Sequence, residues 1–166
     1  MRLYKRYAPV LLGVALRYSS NKSEAEDVLQ EAFIKIYTKM HTYTFNGSFE
    51  GWLKRIVINT AINHNRSNVK EKLTRELNDA DEYDMFVDDS NDLSHHQYSA
   101  DQLMKSVQNL PDGYRTVFNM FVMEGYSHKE ISTMLEVSES TSKSQLFKAR
   151  GLLRKQLLSQ NEYQSK

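Results

Sequence analysis

Apolar residues in this chain recur at helical spacing in two blocks, and across residues 67 to 100, between the blocks, neither a helical nor a strand period holds. In the first block Leu3, Tyr7, Val10, Leu11 and Val14 form one stripe, and Ala25, Val28, Leu29, Ala32, Phe33, Ile36 and Met40 a second. Phe49, Trp52, Leu53, Ile56 and Thr60 form a third. In the second block Leu103 and Val107 are followed by Val117, Phe118, Phe121 and Val122, then by Ile131, Met134 and Leu135. The last stripe is Ser142, Leu146, Ala149, Leu153 and Leu157. Each stripe is the buried face of an amphipathic helix. With only 6 Gly and 2 Pro the chain lacks the turn residues that closely spaced strands require. The pattern therefore predicts an all-α protein.

The helix ends are marked by side chains that satisfy the first free N–H groups. Ser23 with Glu26 three residues on reads as a capping box, which starts the second helix near Glu24. Ser48 is placed to cap the Trp52 helix after the loop Thr44 to Ser48. Pro111 to Gly113 reads as a turn, and Gly125 as the residue just past a helix end, where a positive φ is common. Ser127 with Glu130 forms a further capping box, and Ser138 caps the last helix. Two helices separated only by Glu136, Val137 and Ser138 make a helix-turn-helix.

A formal net charge of +1 argues against a nucleic-acid partner until it is divided along the chain. Residues 1 to 66 carry 10 Lys/Arg against 5 Asp/Glu, residues 67 to 100 carry 3 against 9, and residues 101 to 166 carry 9 against 7. Two basic pieces flank an acidic one whose Asp, Asn and Ser content is that of a linker. No apolar run approaches the roughly 18 residues of a spanning helix. The start MRLYKRYAPVLLGVALRY is basic and then apolar, but it runs into Arg17 and Tyr18 without a small-residue cleavage site, which favours an amphipathic helix over a signal peptide. With no Cys, disulfides, thiolate metal sites and a Cys nucleophile are excluded, and a cytoplasmic setting is expected.

Two faces are candidates for binding. The polar side of the second helix carries Asp27, Gln30, Glu31 and Lys35. It reads either as a solvated surface ordered by the helix dipole or as a docking face for a basic partner helix, and spacing does not choose between them. The outward side of the last helix carries Lys143, Ser144, Phe147, Lys148, Arg150, Arg154 and Lys155. A basic residue as early as Lys143 opposes the dipole, which suits a ligand better than stability. Such a helix fits the major groove, with early side chains on base edges, Lys/Arg on phosphates and Phe147 against a thymine methyl. Its plain competitor is a basic helix packed on another protein. For an enzyme the handles are His64, His95 and His96, and none has the spacing of a metal site or a nucleophile triad. No catalytic residue, metal site or cofactor is expected.

Taken together, three segments resemble the RNA polymerase sigma factors of the extracytoplasmic-function (ECF) type. SEAEDVLQEAFIKIY resembles the helix that binds the polymerase clamp, GSFEGWLKRIVINTAINHNR the promoter-melting segment, and EGYSHKEISTMLEVSESTSKSQLFKAR the promoter-reading helix-turn-helix. The chain begins very near the first of the family's helices. The family commonly has Ala, Gly, Val and Arg where this chain has Ser132, Glu136, Ser142 and Gln145. A Gly at such a turn often has φ > 0, where Glu136 would cost about 1 kcal/mol.

The resemblance implies a region 2 domain over residues 1–66, a flexible acidic linker over 67–100 and a region 4 helix-turn-helix domain over 101–160. It implies that Asp27, Gln30 and Glu31 contact core RNA polymerase at the clamp of the β′ subunit, the β subunit being a further partner. It implies that Thr44, Phe45, Asn46, Gly47 and Ser48, with Asn59, handle a melted minus-10 element while Lys54, Arg55 and Arg66 meet the DNA backbone. Lys143, Ser144, Phe147, Lys148 and Arg150 would read a minus-35 element. Promoter DNA and an anti-sigma factor are the other implied partners, with no direct membrane insertion. The rival from a different class is a stand-alone helix-turn-helix regulator that does not bind polymerase.

Overall fold

The computed structural model describes the backbone of residues 2–78 and 98–164, with side chains over 3–64 and 98–159. All regular structure among these residues is helical, in two compact units that meet in sequence at Ser67 and Asn68.

The first unit is built on α1 (Arg2–Tyr18), α2 (Lys22–Lys39) and α3 (Phe49–Asn78), with a 3₁₀ turn at Met40–Thr42 before the loop that leads into α3. Its core is mainly aliphatic, with Tyr18 and Phe33 also buried: Leu11, Val14 and Ala15 of α1 meet Ala25, Val28, Leu29, Ala32 and Ile36 of α2, and α3 adds Leu53, Val57, Ile58, Ala61 and Ile62. Each large side chain in this set contributes about 1.5–3 kcal/mol by leaving water. Val10 and Met40 belong to the expected stripes yet are exposed. The aliphatic arc of α3 lies toward Val57, Ile58 and Ala61, whereas Phe49 and Trp52 turn to an aromatic cluster under the preceding loop.

The cap of α2 is Asn21 and not Ser23. Its Oδ1 accepts the Glu24 N–H at 2.9 Å, and Glu24 Oε2 accepts the Ser20 N–H at 2.8 Å, so the helix starts two residues before the expected position. At the other end of this unit α3 continues through Asn78. Residues 67–78, read from the sequence as linker, are therefore helical, and the rest of that segment up to Gln97 lies outside the described residues, as do His95 and His96.

The second unit contains α4 (Ala100–Gln108), α5 (Asp112–Phe118), a π-helical turn (Asn119–Met123), α6 (His128–Leu135) and α7 (Glu139–Gln164). Helices α4, α5 and α6 all pack on α7. Ser99 and Gln102 form a reciprocal capping box at α4. Pro111 does not lead into a turn but is itself the residue that precedes α5, with Asp112 and Gly113 already helical. This junction is held by Arg115, 1% exposed, whose guanidinium donates to the Gln108 carbonyl at 2.8 Å, the Leu110 carbonyl at 3.0 Å and the Asp112 carboxylate at 2.5 Å. Val117 and Met120 are buried, but Leu103 and Val122 are exposed, contrary to their place in the stripes. For Val122 the cause is the π turn, whose wider ring closes from Glu124 N–H to Asn119 O and rotates the following residues off the α-helical register.

Candidate nucleic-acid interface

The last helix presents its basic side because its other side is anchored. Ser142, Leu146, Ala149 and Leu157 are buried against the unit, so Lys143, Phe147 and Arg150, at i, i+4 and i+7, share the exposed face. Phe147 is 47% exposed, more than packing alone would leave, and Ser144 and Lys148 flank it half-buried. The start of α7 is fixed by Ser138, whose Oγ accepts the Thr141 N–H at 3.0 Å. The helix before it is fixed by the Ser127 and Glu130 capping box, as expected from the sequence.

Between the two helices Glu136 adopts φ 56°, ψ 44°, the left-handed conformation, and the Val137 N–H donates to the Ser132 carbonyl at 3.1 Å. The turn therefore has the shape that a glycine would favour, with a glutamate in it. Gln145 stands where the resemblance has Arg, but it lies on the inward side of α7 at 1% exposure, away from the face that could meet DNA. Among the described residues neither its Oε1 nor its Nε2 has a hydrogen-bond partner.

In the first unit the loop Thr44 to Ser48 stands fully in solvent, held from below by Tyr43. The Tyr43 hydroxyl donates to the Gly47 carbonyl at 2.9 Å, and its ring contacts Phe45, Phe49 and Trp52 at centroid distances of 4.9, 5.1 and 5.4 Å. Two residues have positive φ, Phe45 at 59° and Gly47 at 93°. The left-handed conformation is a strained one for Phe45, whose ring is 84% exposed. Ser48 caps α3 as expected, its Oγ accepting the Gly51 N–H at 3.3 Å.

Asn59 lies seven residues after Trp52, hence on the same side of α3 and about 10 Å along its axis, and it is exposed, as is Arg55. Lys54 is half-buried and ion-paired with Glu50 at 2.8 Å. The backbone of Arg66 lies in α3, and its side chain falls outside the described residues.

On α2, Asp27 and Gln30 are exposed, while Glu31 is engaged within the unit: it accepts from Lys35 Nζ at 2.6 Å and lies 3.7 Å from His64 Nδ1 of α3. The hydrogen bond from Lys35, which outweighs some desolvation, holds the Glu31 carboxyl below its ordinary pKa. The sequence stripes miss two neighbours of this face, Ile34 at 66% and Tyr37 at 50% exposure. With Asp27 and Gln30 they make a line at i, i+3, i+7 and i+10. A signal was present in the sequence, because Ile34 and Tyr37 fall outside the apolar stripe of α2 and are apolar nonetheless. Among the described residues no helix is long and apolar enough to cross a membrane.

The family described as Sigma-70 region 2 matches residues 3–71, and that described as Sigma-70, region 4 matches residues 100–153. The RNA polymerase sigma-H factor of Pseudomonas aeruginosa is 31% identical over 162 residues, covering 93% of this chain and 84% of that protein. The ECF RNA polymerase sigma factor SigW of Bacillus subtilis is 30% identical over 158 residues, covering 91% and 84%. Of solved structures, the sigma factor RpoE of Bartonella quintana, in complex with the anti-sigma factor NepR, is similar with a TM-score of 0.56 at 20% identity, covering 94% of each chain, a likeness of fold.

Proposed function

The chain belongs to the sigma-70 family of RNA polymerase sigma factors, in its extracytoplasmic-function group, and from that membership we propose how its two units divide the work. As a sigma factor it binds core RNA polymerase and directs initiation at chosen promoters, which separates it from a stand-alone helix-turn-helix regulator. In the finer reading, residues 1–66 with the continuation of α3 dock on polymerase and hold melted DNA, and the unit from Ala100 onward reads the minus-35 element.

The observation that carries this reading is the line Asp27, Gln30, Ile34 and Tyr37 on α2. A solvated helix face has no need of two exposed apolar side chains beside an acid, whereas a docking face uses apolar anchors with a charged rim. Asp27 and Gln30 meet the β′ clamp, with Ile34 and Tyr37 as its anchors. Glu31 supports that face from its bridge to Lys35 and His64. Thr44, Phe45, Asn46, Gly47, Ser48 and Asn59 hold the minus-10 strand, with Lys54, Arg55 and Arg66 on its backbone, and Lys143, Ser144, Phe147, Lys148 and Arg150 meet the minus-35 duplex.

The protein carries out no bond chemistry of its own and works in the cytoplasm, where its polymerase is. An anti-sigma factor is a further partner, supported by the complex in which the Bartonella quintana protein was solved.

The test is a pull-down with core polymerase. Asp27→Lys places like charge against a basic partner, and Tyr37→Ala removes an anchor. Each should weaken binding at least tenfold, about 1.4 kcal/mol, with thermal melting unchanged because neither side chain is in the core. Full binding by both folded variants would return the face to solvent.

A further inference from the structure

At the joint of the helix-turn-helix His128, the first residue of α6, reaches across to α7. Its Nδ1 lies 2.9 Å from Ser142 Oγ, within hydrogen-bond distance, and its ring stacks on Phe121 with centroids 4.5 Å apart and planes at 24°. Ser142 is wholly buried, and it directly precedes Lys143 and Ser144. A hydroxyl at this buried position gives a directional bond, where an apolar side chain would give a contact that tolerates sliding.

We propose that His128 is a positioning residue for the promoter-reading helix: clamped by Phe121 and tied to Ser142, it fixes the rotation of α7 that aims Lys143, Ser144 and Phe147. This rests on the reading of α7 as the minus-35 reader.

The geometry gives the tie leverage. A rotation of α7 by about 15° moves an atom roughly 6 Å from the axis by about 1.5 Å, which is more than a hydrogen bond to a base edge tolerates. α6 also buries Ile131 and Leu135, and apolar contacts of that kind do not set the angle. The state of the ring agrees. Burial, and then the cations Lys143 and Arg150, hold the imidazole below its ordinary pKa against the opposing pull of Glu139, so it is neutral at pH 7, and the tautomer sets whether Nδ1 donates to the Ser142 hydroxyl or accepts from it. Phosphate contacts set affinity and its salt slope, whereas aim sets sequence preference, so the two can be separated.

The experiment uses the full chain bound to core polymerase. Duplexes are first selected from a library randomised over the upstream element, and affinities are then measured for a selected duplex and a scrambled one across a salt series. His128→Ala and Ser142→Val should each reduce the ratio of selected to scrambled affinity about fivefold or more. Scrambled affinity and its salt slope should stay unchanged. The double variant should be no worse than either single one, and His128→Asn, whose amide can occupy the Nδ1 position, should restore most of the preference.

An unchanged ratio in folded His128→Asn and Ser142→Val variants together with folded His128→Ala, or additive losses in the double variant, would overturn the proposal. If His128→Ala fails to fold, full preference in Ser142→Val overturns it equally. Phe147→Ala and Lys143→Ala on the same duplexes check the underlying reading: if they leave affinity and preference untouched, α7 does not read DNA and both fall. If they lose binding while His128 and Ser142 variants do not, only the positioning role falls.

Discussion

Three side chains in the second unit show what a single position costs or contributes. Glu136 was legible in the sequence as a glutamate in a glycine's place, and the backbone bears this out with φ 56°. Glu136→Gly should stabilise the unit by about 1 kcal/mol, which for a piece of this size raises the melting temperature by about 5 °C. Gln145 was legible only as a departure; a helical wheel alone does not say that its amide is buried without a partner. A buried amide with both ends unbonded forfeits about 1–3 kcal/mol, so Gln145→Met should also raise the melting temperature, and a lower value in either variant would contradict the geometry. His128 contributes through protons. Its folded pKa is depressed by burial and by Lys143 and Arg150, so the unfolded chain binds a proton more readily. The stability it supplies is fully present above the ordinary histidine range and is lost as pH falls through the lower folded value. Melting curves from pH 8 into the mildly acidic range should show that loss in the native chain and less of it in His128→Asn.

At the scale of elements, the capping boxes were the most readable signals, because a Ser followed by Glu three residues later satisfies backbone N–H groups in any context. Ser127 with Glu130 behaves so, but Ser23 does not, since Asn21 with Glu24 competes for the same helix end two residues earlier. The π turn after α5 left no pattern to read: one added residue per turn displaces Val122 outward without changing composition. The loop before α3 was visible as a break at Gly47, but the role of Tyr43 as its support, bonded to Gly47 and in tilted ring contact with Phe45, depends on contacts no period reports. In the function proposed above, this supported loop is the rim for an extruded base, with Asn59 offering donor and acceptor on the same side of α3. Asn59→Ala should leave polymerase binding intact and reduce open-complex formation on duplex promoters, while a premelted promoter restores much of the activity. Gly47→Val should act likewise, because φ 93° is closed to Val. Normal opening on duplex DNA by both variants would remove the pocket.

For the molecule as a whole, charge was the clearest guide, since a net charge of +1 conceals two basic pieces around an acidic one. The fold class and the helix-turn-helix followed from periodicity and caps. The two compact units divide at Ser67 and Asn68, but the acidic composition that begins there gives no sign that α3 continues to Asn78. Composition reports whether a segment can bury a core; it does not report where a long helix ends. The stripes also pass over Ile34 and Tyr37, and it is their exposure that places them in one line with Asp27 and Gln30, the line on which the proposed docking rests. The most direct measurement is transcription in vitro with purified core polymerase and a library of duplex DNA fragments, with and without the full chain. Initiation from a subset of fragments sharing two spaced elements, only when the chain is present and abolished by Asp27→Lys with Tyr37→Ala, is the expected result. Binding to DNA through α7 with no association with core polymerase and no chain-dependent transcripts would contradict it.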